Sequence, residues 1–170
     1  MSAGYRLRQF WLATTARISA GERQAARRLL GPAASDLFER MPRADQRHGL
    51  DVMQALAAAG EREPAVLAAA LLHDAGKAGA GLTVWHRTAI VLLGRWWPAG
   101  LARLAAPAGW RRPFWAHLRH AELGAQAAEA AGCAELTVWL IRHHHAAAGE
   151  ELDAGRRALL LTFQRQDGKH

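Results

Sequence analysis

The chain has 170 residues, 51% of them hydrophobic and many of these alanine, enough for one domain with a closely packed helical core. Its single cysteine, Cys133, excludes an internal disulfide and a cysteine-based zinc site. The formal charge of +7 points to an anionic partner or a solvated arginine-rich surface. Because the arginines are dispersed, pairing only at sites such as Arg27-Arg28, Arg111-Arg112 and Arg156-Arg157, no nucleic-acid partner is expected.

Strand signals are almost absent, and helical periodicity recurs throughout. Arg6 to Ile18 reads as a first helix. The basic stretch from Tyr5 to Trp11 does not read as a signal peptide, since the apolar run after it is short and is broken by Thr14, Thr15 and Arg17. Ser19-Ala20-Gly21-Glu22 is a capping box that opens a second helix through Leu30. Gly31-Pro32 ends it, and Ala34 to Met41 forms a short third. Asp45 to Ala59 carries His48 and stops at Gly60. Pro64 begins a helix that runs into His73-Asp74 and is closed by Gly76 and Gly79. Leu82 to Trp97 is apolar and is expected in the core rather than on a membrane surface, with His86 at its edge. Trp85, Trp96, Trp97, Trp110 and Trp115 are assigned to packing rather than to a nucleobase wall. A short segment covers Leu101 to Leu104. Pro113 to Ala131 bears His120, Glu135 to His144 follows, and a last helix runs from Leu152 or Ala154 to Gln166.

The expected fold is all-α, a compact bundle of roughly seven to nine helices in one domain. Residues 1–44 form an N-terminal helical extension and 45–170 the core. The longest apolar run, Ala65 to Leu72, is far below a membrane span, so a soluble cytoplasmic protein is expected.

His73-Asp74 is the most informative feature. An imidazole and a carboxylate at the end of an apolar helix are costly to bury unless they bind something, and both are good ligands for divalent metals. His48, His120, the triplet His143-His144-His145 and Asp167 add dispersed nitrogen and oxygen donors on separate helices, whose side chains can converge on one buried point. His117 rivals His120. Asp167 stands three residues from the end of the sequence, where chains fray, with Asp153 as a poorer substitute. The basic residues are nearly all arginine, so Lys77 just after His73-Asp74 suggests a site that wants a compact ammonium.

These elements resemble the HD superfamily of metal-dependent phosphohydrolases. They are His48, then Leu72-His73-Asp74-Ala75-Gly76-Lys77, then His120-Ala121-Glu122-Leu123-Gly124-Ala125, then Ile141-Arg142-His143-His144-His145, then Asp167. The resemblance implies an HD-domain fold with two divalent ions. His48, His73, Asp74 and Asp167 hold the first. Asp74 bridges to a second held by His120 and His144, with His145 as the other candidate, and Lys77 contacts substrate phosphate. The donor set suits Fe, Mn, Ni, Co, Zn or Mg. Ala146 replaces the glutamate that often follows the double histidine in the HD-GYP branch, and the Gly-Tyr-Pro segment is missing, which disfavours cyclic-di-GMP hydrolysis. The implied activity is hydrolysis of a phosphate ester or anhydride by a metal-activated water, with Asp74 and Lys77 central to catalysis. A phosphorylated anionic small molecule, a nucleotide or dinucleotide polyphosphate, is the expected substrate. The same scaffold also supports mixed-valent di-iron oxygenases and non-catalytic nucleotide-binding modules.

Overall fold

The computed structural model describes residues 17–149 and 152–169. Among them are eight α-helices and no strand: α1 (Ala20–Arg40), α2 (Arg43–Ala58), α3 (Pro64–Leu72), α4 (Val84–Trp96), α5 (Pro98–Leu104), α6 (Arg112–Ala130), α7 (Glu135–His143) and α8 (Ala154–Asp167). Single 3₁₀ turns at Ala75–Lys77 and Gly109–Arg111 link α3 to α4 and α5 to α6. The architecture is therefore the expected all-α bundle. No described helix is long and apolar enough to cross a membrane. The helix read over Arg6 to Ile18 lies outside the described residues except at Arg17 and Ile18, which are not helical.

The Ser19 capping box forms as read. The Glu22 N–H donates to Ser19 Oγ at 3.2 Å, and the Ser19 N–H donates to the Glu22 carboxylate at 2.8 Å. The two helices expected on either side of Gly31-Pro32 are one run, α1, kinked where Gly31 adopts φ +70°. Glu22 also receives a hydrogen bond from Arg47 of α2 at 2.6 Å, which fastens α1 to α2. That guanidinium, with the Ser19 N–H, holds the Glu22 carboxyl down to about 2. A depressed folded value means stabilisation that is full above the ordinary 4.5 and lost as pH falls through about 2. Glu22→Gln keeps the capping geometry and removes the charge. Urea denaturation should show the variant about 1 kcal/mol less stable at neutral pH. The difference should vanish in strong acid, and an equal deficit at both extremes would contradict the assignment.

α3 is apolar along its whole length and forms the centre of the bundle, with Val66 and Ala68 to Leu72 buried. α2 crosses it closely because Gly49 has no side chain. A Cβ there would lie 2.9 Å from the Leu71 carbonyl oxygen. The main core joins α3 to Ala26, Ala34 and Phe38 of α1, Leu50 and Leu56 of α2, Leu140 and Ile141 of α7, and Phe163 of α8. Burying these side chains supplies the main drive for folding.

α4 departs from expectation. Only Ile90 on it is buried; it joins Leu101 and Phe114 in a small second cluster. Trp85 is 83% exposed and Trp96 74%, and Trp97 and Trp110 are exposed as well, while Trp115 is half-buried. The reading of α4 as a core helix, with tryptophans packed inside, is thus corrected. Periodicity marks a helix but not how much of it is covered, and the side bearing Ile90 is the one that docks. His86 is a helix-start residue: its Nδ1 lies 2.8 Å from Thr83 Oγ1.

Candidate metal centre

α3 ends at Leu72, so His73 and Asp74 occupy the turn that follows. His73 is buried, and its Nδ1 lies 2.9 Å from the Ala70 carbonyl oxygen. A carbonyl can only accept, so Nδ1 carries the proton and Nε2 faces inward. Nε2 stands 3.4 Å from Asp167 Oδ1 and 3.9 Å from Asp74 Oδ2. His48 of α2 brings its own Nε2 to 2.8 Å from the same Asp167 oxygen. Asp167 thus closes the last turn of α8 against α2. Asp153, the poorer substitute, instead caps the start of α8 by accepting the Arg156 N–H at 2.9 Å.

A second group meets on the other side of Asp74. His120 of α6 places Nδ1 2.5 Å from the His117 carbonyl, and His144 places Nδ1 2.7 Å from that of Ile141. Both Nε2 atoms are therefore unprotonated in the neutral rings. Yet they stand 3.2 Å apart, and His145 Nε2 lies 3.1 Å from His120 Nε2. Lone pairs facing each other at this distance repel unless a cation lies among them. Donation of the outer ring N–H to a backbone carbonyl is also the usual way a metal-binding histidine is oriented. The ligand atoms of His120, His144 and His145 all fall within 4.8 Å of one another, and those of His48, His73 and Asp74 form a second such set. Asp74 stands between the sets, with Oδ1 3.5 Å from His120 Nε2 and Oδ2 turned toward His73.

The charge states suit ligation. Burial, followed by the charge on His73, holds His144 down to about 3, and burial with the nearby Lys77 ammonium holds His120 down to about 4. Both are neutral at physiological pH, the form that binds metal. Burial alone would raise Asp74, but the Lys77 ammonium and then the charge on His73 outweigh it and keep the carboxylate ionised. Burial is likewise outweighed at Asp167, where bonds from His48 and His73 hold the carboxyl well below its ordinary range. His73 moves the other way: burial would lower it, but the negative charges of Asp74 and Asp167 prevail and raise it. A cation is therefore favoured at that point, whether a proton or a metal ion. The buried His/Asp groups can hold a metal ion, and an all-nitrogen-and-oxygen set favours a divalent one.

All seven histidine and aspartate positions singled out as ligands, His48, His73, Asp74, His120, His144, His145 and Asp167, are thus brought together. His143 is not; its ring stacks on Trp139 with centroids 5.0 Å apart. Lys77 pairs with Asp74, Nζ to Oδ1 at 2.6 Å. His117, the rival of His120, orients it through its backbone carbonyl and stacks on its ring at 5.8 Å.

Two supporting features escaped sequence reading. Gln164 of α8 donates to the carbonyls of His144 at 3.1 Å and Ala146 at 2.8 Å, anchoring the histidine turn. Gly76, taken above as a helix terminator, is where the turn after Asp74 presses on α6. A Cβ there would lie 2.1 Å from the His120 carbonyl oxygen and 2.7 Å from the Gly124 nitrogen. Glycines in step with ligands, Gly49 after His48 and Gly124 one turn past His120, were the available signal.

Fold and centre together define an all-helical protein with a buried histidine–aspartate cluster able to hold metal. No family model, curated protein or solved structure matches the chain.

Proposed function

We propose that the chain is an HD-type phosphohydrolase that uses two divalent ions to cleave a phosphate ester or anhydride, with a nucleotide or dinucleotide polyphosphate as the substrate class. The observation that carries this reading is the placement of one ionised carboxylate, Asp74, between two sets of inward-facing imidazole nitrogens. It rests equally on the order of His48, His73-Asp74, His120, His144 and Asp167 along the chain.

His48, His73, Asp74 and Asp167 would hold one ion and Asp74, His120, His144 and His145 the other, and ions so held would supply a water of lowered pKa and positive charge for the attacking and leaving oxygens. The protein's own residues account for the rest. Asp74 and Asp167 supply two negative charges, so two bound divalent ions with neutral histidine ligands would leave the site electropositive toward a phosphoryl group. Lys77 neutralises Asp74 before substrate arrives, and its ammonium can turn to phosphoryl oxygens as they gain charge. Water attacks phosphorus, the bond to the leaving oxygen breaks, and that oxygen takes up a proton. The lone thiol, Cys133, has no part in this, since burial pushes it up from its ordinary value.

The test is phosphate release from a panel of nucleotides with Mn, Mg, Ni, Co and Fe in turn, for the unaltered chain and for His73→Ala. Release with at least one metal, lost in the variant, is expected. Tight nucleotide binding without release under any metal would make the chain a binding module. Oxygen consumption by an iron-loaded form without phosphatase activity would make it an oxygenase.

A further inference from the structure

We propose that α4 and the segment after it form a docking face for an anionic membrane surface. Of the chain's 22 basic and 15 acidic residues, seven basic and no acidic ones fall between Ala75 and Ala121. The rest of the sequence is neutral by count, so this one stretch carries the whole net charge of +7. Carboxylates elsewhere match only Lys77, through Asp74, and Arg87, through Asp45, among the described residues. Arg95 and Arg103 are exposed.

The same stretch is where the apolar surface lies. Nine large apolar side chains are exposed among the described residues, and eight of them lie between Val84 and Leu118. On α4 they share a side. Trp85, Leu92 and Trp96 recur at helical spacing, with Val84, Val91 and Arg95 alongside, and Ile90 opposite them is buried. A helix normally turns such a stripe inward; α4 turns it out. Exposed patches of this kind mark interaction sites.

Chemistry selects the occupant. Tryptophan rings favour the headgroup level of a bilayer, aliphatic side chains the acyl boundary beneath it, and arginines anionic headgroups. RNA would use the arginines and tryptophans but has no use for Val84, Val91 and Leu92. A helix of 13 residues is about 20 Å long, too short to cross a hydrocarbon layer of about 30 Å, so it lies along the surface.

Co-sedimentation of the full chain tests this with three probes: equimolar phosphatidylglycerol–phosphatidylcholine vesicles, pure phosphatidylcholine vesicles, and polyuridylate. The expected result is binding to the anionic vesicles, weakened by salt and much weaker on the neutral ones. Trp85→Ser with Trp96→Ser should reduce partitioning about tenfold or more. Arg95→Glu with Arg103→Glu should reduce it about fivefold per position. All four side chains are exposed, so circular dichroism should show the fold retained. The proposal is overturned if the chain stays in solution with both vesicles, if it binds polyuridylate in their place, or if the tryptophan variant partitions undiminished.

Discussion

Asp74→Ala is expected to strip both ligand sets at once. The two carboxylate oxygens face different histidines, Oδ1 toward His120 and Oδ2 toward His73, so this one side chain reaches both sets. After loading with a divalent ion and dialysis, elemental analysis should find the variant holding little or no metal. Phosphate release, where the unaltered chain shows it, should fall by about 10³-fold. Asp74→Asn separates shape from charge. It keeps an oxygen near one set but removes the negative charge that two cations require, so its metal content should resemble that of the alanine variant.

The same carboxylate matters to the metal-free fold. It is the partner of Lys77, whose side chain is only 16% exposed, and it helps hold a cation at His73. Its removal leaves that ammonium facing the histidines alone, and breaking a buried pair from one side costs about 3 kcal/mol. Denaturation with chelator present should therefore show a loss of stability that does not depend on metal. His145→Ala provides the contrast. That imidazole is exposed and touches only the second set, so folding should be unchanged and metal content reduced by less. An Asp74→Ala protein that kept its full metal content would end the shared-ligand account.

The candidate positions were legible in sequence because histidine and aspartate are distinctive and their order along the chain resembles the HD pattern. A His-Asp pair alone reads as readily as a helix end with a solvated Asp; it is the order of His48, His73-Asp74, His120, His144 and Asp167 that singled these positions out. The interactions that make them a centre were not legible. The carbonyls of Ala70, His117 and Ile141 fix which nitrogen faces inward, yet any residue type supplies a carbonyl. Gln164 acts across a turn 20 positions away. The resemblance assigns Lys77 to substrate phosphate; its pairing with Asp74 three positions earlier is a matter of the local turn's geometry. α4 failed for another reason. Hydropathy states how apolar a segment is, and tertiary supply decides which side is covered. With α3 already surrounded by α1, α2, α7 and α8, only a minor cluster remained for α4.

Gly76→Ala should do nearly as much damage as loss of a ligand, although it removes no functional group. The added methyl would meet the His120 carbonyl oxygen at 2.1 Å and its carbon at 2.8 Å, with the Gly124 nitrogen at 2.7 Å. All three are backbone atoms in a helix, so no rotamer change relieves the clash. The turn that carries Asp74 has to lift away from α6, and overpacking against rigid neighbours typically costs about 3 kcal/mol. The direction of the shift matters more than its energy. Asp74 leaves as His120 stays, which opens the 3.5 Å gap between them. Metal affinity should fall about 10–100-fold, the scale seen when a ligand's support is removed.

Gly79→Ala is the control. Nothing lies within 4 Å of a Cβ there, but φ is +67°, a conformation that disfavours alanine by about 1 kcal/mol. Its protein should be mildly destabilised with metal affinity intact. Isothermal titration with a divalent ion, run beside urea denaturation on both variants, distinguishes the two effects. Equal metal affinity in the two proteins would show that the close packing of the Asp74 turn on α6 does not set the geometry of the centre.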